Sequence, residues 1–298
     1  MAGILSEKKI IELELMANIL RQDVIRMLVN AQSGHCAGPL GMAEVFAALY
    51  FHVLKHNPQD PFWEERDRLI LSNGHICPVR YAAMARSGYF SVEELLTFRK
   101  IDSRLQGHPH NLSLPGVENT GGPLGQGISQ AVGRAIAALR EGKKFRIYCL
   151  VSDGEHNEGQ TWEALMCAGN NKLRNLTAIM DRNNIQIDGF TEEVMPLEPL
   201  VDKHRAFNWR VIETDGHSIR QIIEACEEAK AIYEKPTMII CHTIPGKGVD
   251  FMENDYRWHG IAPKPEEGES ALKQLQEQER EIRKRLSEVT SGELGPLI

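Results

Sequence analysis

Five short apolar runs punctuate the chain, and each of the first four ends in a polar turn. Arg68-Leu-Ile-Leu-Ser72 leads to Asn73-Gly74-His75, Phe145 to Val151 leads to Ser152-Asp153-Gly154, and Leu176 to Met180 leads to Asp181-Arg-Asn-Asn184. Arg210 to Thr214 leads to Asp215-Gly216, and Thr237 to Thr243 closes the series. Continuous apolar runs of this length suit strands buried on both faces. Between them the pattern turns helical, over Gly127 to Arg140, Thr161 to Asn170 and Ser218 to Tyr233, the last opened by Ser218 as a cap. Strand and helix in alternation predict an α/β fold, a doubly wound parallel sheet with helices on both faces. Ligands bind at the carboxyl ends of such strands, and the polar turns fall there.

Two regions lie outside this alternation. Residues 10–56 read as a helix, a loop from Gly34 to Gly41 and a second helix. Residues 264–290 are charged, with Leu272, Leu275, Ile282 and Leu286 at helical spacing. That stretch is either a solvated terminal helix or one that docks on a partner subunit. The expected division is a domain over 1–265 and a helical tail over 266–298.

Composition narrows the classes. Of 298 residues, 42% are hydrophobic and 25% charged, and the net charge of −7 argues against a nucleic-acid partner. The six cysteines form no CxxC pair, which disfavours zinc and redox motifs. Glu7, Lys8, Lys9, Glu12 and Glu14 interrupt any leader-like apolar stretch, and no apolar run is long enough to span a membrane. The expectation is a soluble, cytoplasmic protein without a membrane partner.

Three groups of residues carry chemistry. Asp153-Gly154 and Asn183-Asn184 follow consecutive strands, which brings a carboxylate and an amide oxygen to one sheet edge. Hard oxygen ligands of this kind suit Mg²⁺ or Ca²⁺, and Gly154 admits a diphosphate close to the backbone. Thr120-Gly-Gly-Pro-Leu-Gly-Gln-Gly127 opens a helix, and free N–H groups at a helix start attract anions. His35, His75, His108 and His259 all lie in glycine-flanked turns, and no two have zinc-ligand spacing.

Taken in order, these motifs resemble the N-terminal half of transketolases. The Asp-Gly to Asn-Asn pair resembles a thiamine diphosphate motif, with Ser152 where its first Gly usually stands. Gly-Pro-Leu-Gly-Gln-Gly, the four histidine turns and Leu-Pro-Gly at 114–116 also match, so the likeness runs from about residue 20 to about residue 262. It implies a subunit that transfers a two-carbon ketol unit from a ketose phosphate to an aldose phosphate, with thiamine diphosphate carrying the hard chemistry. Asp153, Asn183 and the carbonyl of Ile185 would hold Mg²⁺, Ca²⁺ or Mn²⁺. Gly122, Pro123, Leu124, Gly154 and His75 would contact the cofactor, and His35, His108 and His259 would face the substrate. Glu158 matches a residue that couples paired sites at the subunit interface.

The resemblance covers half of a transketolase. The pyrimidine-binding half, with the Glu that activates the cofactor, is expected on a partner subunit, in a heterotetramer of two plus two. Cys36 for the usual Pro, the altered Ala37 to Gly41 loop, Pro245, and Tyr256 and Trp258 in place of a further His all leave the sugar open. It is either a common pentose phosphate or an unusual sugar such as apulose 4-phosphate or a sulfosugar. Two other readings are less consistent with the histidine strings: a non-catalytic regulatory or scaffolding partner, and one chain of a 2-oxo acid dehydrogenase. No nucleotide P-loop sequence occurs.

Overall fold

In the computed structural model, which describes residues 5–293, five parallel strands form the central sheet: β1 (Arg68–Leu71), β2 (Ile147–Ser152), β3 (Leu176–Arg182), β6 (Arg210–Asp215) and β7 (Thr237–His242). A two-stranded antiparallel ribbon, β4 (Ile185–Gln186) and β5 (Gly189–Phe190), follows β3. The order across the sheet is β1-β2-β3-β7-β6. The five apolar runs are thus the five strands of the sheet, and β2 and β3 are buried at every position.

The helices are α1 (Glu7–Ala31), α2 (Ala37–Gly41), α3 (Ala43–Ala48), α4 (Cys77–Ser87), α5 (Gln126–Arg140), α6 (Gly159–Asn170), α7 (Thr191–Val194), α8 (Leu200–Ala206), α9 (Ile219–Ala231) and α10 (Pro265–Glu293). Alternate strand residues point to opposite faces. Leu69, Leu71, Tyr148 and Leu150 pack with α1, α3, α4 and α9, whereas Ile70, Ile147, Cys149 and Val151 pack with α5 and α6. The chain crosses the sheet one way from β1 to β3 and the other way from β6 to β7. Right-handed crossovers then put α6 and α9 on opposite faces, and the direction reverses where β3 meets β7. Because all five strands are parallel, Ser72, Asp153, Asn183 and Thr243 lie along one edge.

Two sequence expectations change. The Gly34 to Gly41 stretch is a loop only as far as Cys36, since Ala37–Gly41 closes into a buried helical turn with Leu40 N bonded to Cys36 O at 3.1 Å. The terminal helix α10 lies along α1 of its own chain. Ala271 and Leu275 are buried there, Gln22 Nε2 donates to Glu279 Oε2 at 2.6 Å, and Arg285 pairs with Glu14 at 2.9 Å. Gly268 permits this contact, because a Cβ there would come within 2.3 Å of Val29 Cγ2. Ser218 caps α9 as expected, its hydroxyl accepting from Gln221 N at 3.4 Å. Among the described residues no helix is long and apolar enough to cross a membrane.

Candidate active site

Each strand of one half of the sheet delivers one part of the site. Asp153 leaves β2 and is 1% exposed. Its Oδ1 accepts from Gly154 N at 2.7 Å, and its Oδ2 accepts from Asn184 N at 2.8 Å and from Arg182 Nη1 at 3.1 Å. Burial pushes the Asp153 carboxyl above its usual range, and the Arg182 guanidinium offsets this only in part. Asn183 leaves β3. Its Nδ2 donates to Asp181 Oδ2 at 2.8 Å, which fixes the amide, and its Oδ1 accepts from Ile185 N at 3.0 Å. Asn184 takes the left-handed conformation, φ 63°, and turns the chain back into the ribbon.

The glycine-rich loop approaches from β1 and α5. Gly122 has φ 139°, and a Cβ on Gly74 would stand 2.8 Å from Gly122 N, so the two loops touch backbone to backbone. A Cβ on Gly127 would meet Ser72 Cα at 2.4 Å, which lets α5 begin against the end of β1.

The four histidines gather over these loops. His35 comes from the turn after α1, His75 from the turn after β1, and His108 and His259 from longer loops. The ring centroids of His35 lie 4.9 Å from His75, 5.6 Å from His259 and 6.4 Å from His108. Burial lowers His35 and His259 to about 4, and the positive fields of His259, Arg99 and His108 add to the effect at His35. Burial also takes His75 well below its usual value and lowers the exposed His108, where Arg99 adds to the shift. All four are therefore neutral imidazoles near pH 7, each with one N–H and one lone pair. The Nδ1 atoms of His35 and His259 are buried without a partner, as is Gln186 Nε2.

A cavity of about 300 Å³ is lined by His35, His75, His108, His259, Gly122, Leu124, Asp153, Gly154, Asn183 and Ile185. Ten of the twelve residues singled out in the sequence thus share one wall. Pro123 and Glu158 do not line it. Pro123 is exposed beside the loop, and Glu158 is exposed at the start of α6 with its Cβ 3.1 Å from the Cβ position of Gly125. The cavity suits a cofactor with a diphosphate and a divalent cation. It combines a buried carboxylate whose cation, Arg182, is shared with Glu192 and Glu198, glycine backbone open to close approach, and unpartnered polar atoms in its wall.

Sequence reasoning missed several residues. Glu155 is fully buried and accepts from Ser72 Oγ, from Ser152 N at 2.8 Å and from Gly125 N at 3.2 Å; burial raises it to about 7. Asp181 accepts from Thr243 Oγ1 and Asn183 Nδ2, and burial raises it also to about 7. Their positions beside Asp153-Gly154 and Asn183 were the available signal. Gln186, Ile187 and Asp188 join the cavity wall from the ribbon. His217 receives Ile244 N on Nε2 at 2.8 Å, so its Nδ1 carries the proton toward Glu44, which Arg21 also holds. The departures at Cys36 and Pro245 point elsewhere: both are buried, Cys36 against Met252 Sδ at 3.6 Å, and neither lines the cavity.

Comparison with known proteins gives a consistent result. Residues 13–290 match the family described as transketolase, thiamine diphosphate binding domain. The 6-deoxy-6-sulfo-D-fructose transketolase subunit SqwG of Clostridium sp. (strain MSTE9) is 43% identical over 274 residues, 92% of this chain and 99% of that protein. An apulose-4-phosphate transketolase subunit of Phocaeicola vulgatus is 38% identical over 272 residues, 91% of this chain and 96% of its own length. A crystal structure of the transketolase from Campylobacter jejuni superposes with a TM-score of 0.84 at 38% identity, over 90% of this chain and 42% of that one. The chain therefore spans less than half of that solved transketolase.

Proposed function

The chain belongs to the transketolase family through its thiamine diphosphate binding domain, and from that we propose that it is the cofactor-holding subunit of a two-subunit ketol transferase. The observation that carries the reading is the single cavity in which His35, His75, His108 and His259 stand over Asp153, Asn183 and Gly122. The near full-length match to relatives named as subunits supports a separate partner; a heterotetramer with two copies of each chain is the assembly proposed. Their names also support a ketose that carries a charged group, phosphate or sulfonate, as the donor.

When bound, thiamine diphosphate supplies a nucleophilic carbon and an electron sink. Asp153, the Asn183 amide oxygen and the Ile185 carbonyl would hold Mg²⁺, Ca²⁺ or Mn²⁺ against the diphosphate. Gly122, Leu124 and Gly154 would follow the diphosphate with backbone alone, with Pro123 stiffening the loop. His75 would contact the cofactor. His35, His108 and His259 would orient the sugar's carbonyl and hydroxyls, and their neutral rings can take up a proton or give one. Glu158, exposed at the head of α6, is the residue proposed to meet the neighbouring subunit.

The test is reconstitution. The isolated chain should transfer no ketol unit. A partner supplying the pyrimidine-binding half should restore transfer, saturating near one-to-one, across an interface of roughly 2,000 Å² or more. Donors carrying phosphate and sulfonate, xylulose 5-phosphate included, should be assayed side by side. Full activity of this chain alone would overturn the two-subunit reading.

A further inference from the structure

A second cavity, of about 600 Å³, shares His108 with the first. It takes Gly121 into its wall where the first takes Gly122. Arg99, Lys100, Ser103 and Gln106 form much of the rest, and among the described residues no Asp or Glu lines it. In a chain of net charge −7 a cationic wall without carboxylates needs a reason.

The two cations meet neutral acceptors among the described residues. Arg99 Nη1 donates to Ser33 Oγ at 2.6 Å and Nη2 to Gly107 O at 3.5 Å, while Lys100 Nζ donates to Asn30 O at 2.8 Å. Arg99 Nε is buried with no partner. Neighbouring Arg104, by contrast, is neutralised by Glu94 at 2.5 Å. The guanidinium lies against Gly107, where a Cβ would come within 2.4 Å of Nε and 2.8 Å of Cζ. Arg99 itself has φ 57°, a conformation that side chains rarely adopt, held by Arg99 N donating to Leu105 O at 3.0 Å. A glycine emptied for the guanidinium and a backbone turned to present it describe a built feature rather than a solvated surface pair.

We infer that Arg99 and Lys100 form an oxyanion subsite, which takes the phosphate or sulfonate of a sugar whose reacting end lies among the four histidines. The inference rests on the ketol-transfer reading for the identity of the sugar. The recognition itself follows from the donors: a planar guanidinium whose two terminal nitrogens each give only one N–H to Ser33 and Gly107, and an ammonium that no described carboxylate neutralises, match a tetrahedral oxyanion. His110, also in the wall, adds a ring near the same charge. Selection of the substrate's charged end would then lie partly in this chain, apart from whatever the partner contributes.

The full chain, in excess thiamine diphosphate and Mg²⁺ so that the diphosphate path is occupied, is titrated calorimetrically with methyl phosphate and with methanesulfonate. One or both should bind at one equivalent, and the tighter anion identifies the group. Arg99→Gln with Lys100→Gln should weaken binding more than tenfold. Gly107→Ala, which displaces the guanidinium without removing its charge, should weaken it as well. Lys100→Gln alone, at an exposed position, keeps the result readable if the Arg99 change disturbs folding. Failure of both anions to bind, or binding undiminished in the variants, would overturn the subsite. In the reconstituted complex the ratio of KM for a charged to an uncharged acceptor should rise tenfold or more in the double variant, and an unchanged ratio counts against the subsite. A complex that transfers to no acceptor sinks the ketol-transfer reading instead, and the calorimetry still decides the subsite.

Discussion

Ser72 donates its hydroxyl to Glu155 Oε1, joining the end of β1 to the turn after β2. The same carboxylate oxygen accepts Gly125 N at the head of α5, so one buried side chain ties together three segments of the cavity floor. Among the described residues no cation balances it. Its stability rests on donated hydrogen bonds, and burial raises it to about 7.

Glu155→Ala should therefore cost about 1–3 kcal/mol of folding stability, because Ser72, Ser152 and Gly125 would be left with unpaired buried donors. It should also weaken thiamine diphosphate binding, since the Gly122 to Gly125 loop loses its anchor. Urea unfolding read beside a cofactor titration separates the two effects. Unchanged cofactor affinity would show that the anchor serves the fold alone.

Asp153→Ala should abolish metal-dependent cofactor binding. It removes the carboxylate from the cavity wall and leaves Arg182 with only Glu192 and Glu198, at 2.7 Å and 3.0 Å. Calorimetry with and without EDTA checks this: the wild-type chain should lose most of its cofactor affinity when the metal is removed, and the variant should have none to lose.

His108→Ala should leave the cofactor bound and slow ketol transfer by about 10²-fold or more, the usual scale for a group that orients and moves protons. Its ring is exposed at the junction of the two cavities rather than at the floor. Cofactor affinity and turnover measured on one preparation of the complex test the division; equal loss of both would refute it.

Acid should destabilise the fold through the histidines. His35 and His259 titrate at about 4 when folded and near 6.5 when unfolded, so between those values the unfolded chain binds more protons. Their contribution is complete above about pH 6.5 and is lost as the pH falls toward 4. Thermal melts from pH 7.5 to pH 4.5, run on the wild type and on His35→Asn with His259→Asn, should isolate this contribution: the wild type loses more stability relative to the double variant as the pH falls, and a pH-independent difference would refute it. Glu155 and Asp181, raised to about 7, act in the opposite sense: their contribution is complete below about pH 4 and is lost as the pH rises through 7.

Gly127→Ala offers a check on packing. Helix propensity favours alanine by about 1 kcal/mol. The added Cβ would stand 2.4 Å from Ser72 Cα, a backbone atom that cannot rotate away. The clash should win by about 1–3 kcal/mol, as overpacking does in a tight core, and chemical denaturation would measure it.

The sequence by itself determined the strands, most of the helices and the polar turns between them, because each is written in residues close along the chain. Apolar runs mark β1, β2, β3, β6 and β7, and Ser218 marks the start of α9. The motif order was enough to list ten residues that share one cavity, since each motif is local and parallel strands bring their ends to one edge. Only the tertiary structure decided what depends on distant segments meeting. Glu155 reads as an ordinary turn residue until β1 and α5 close over it. Cys36 and Pro245 read as changes to the substrate side until packing turns both into the core. Arg99 reads as one more surface cation until Gly107 and Ser33 hold it beside His108, in a wall that no described carboxylate lines. The stripe on α10 reads as facing either solvent or a partner, because spacing shows only that a face is apolar; the tertiary structure adds that Ala271 and Leu275 are buried where α10 runs along α1.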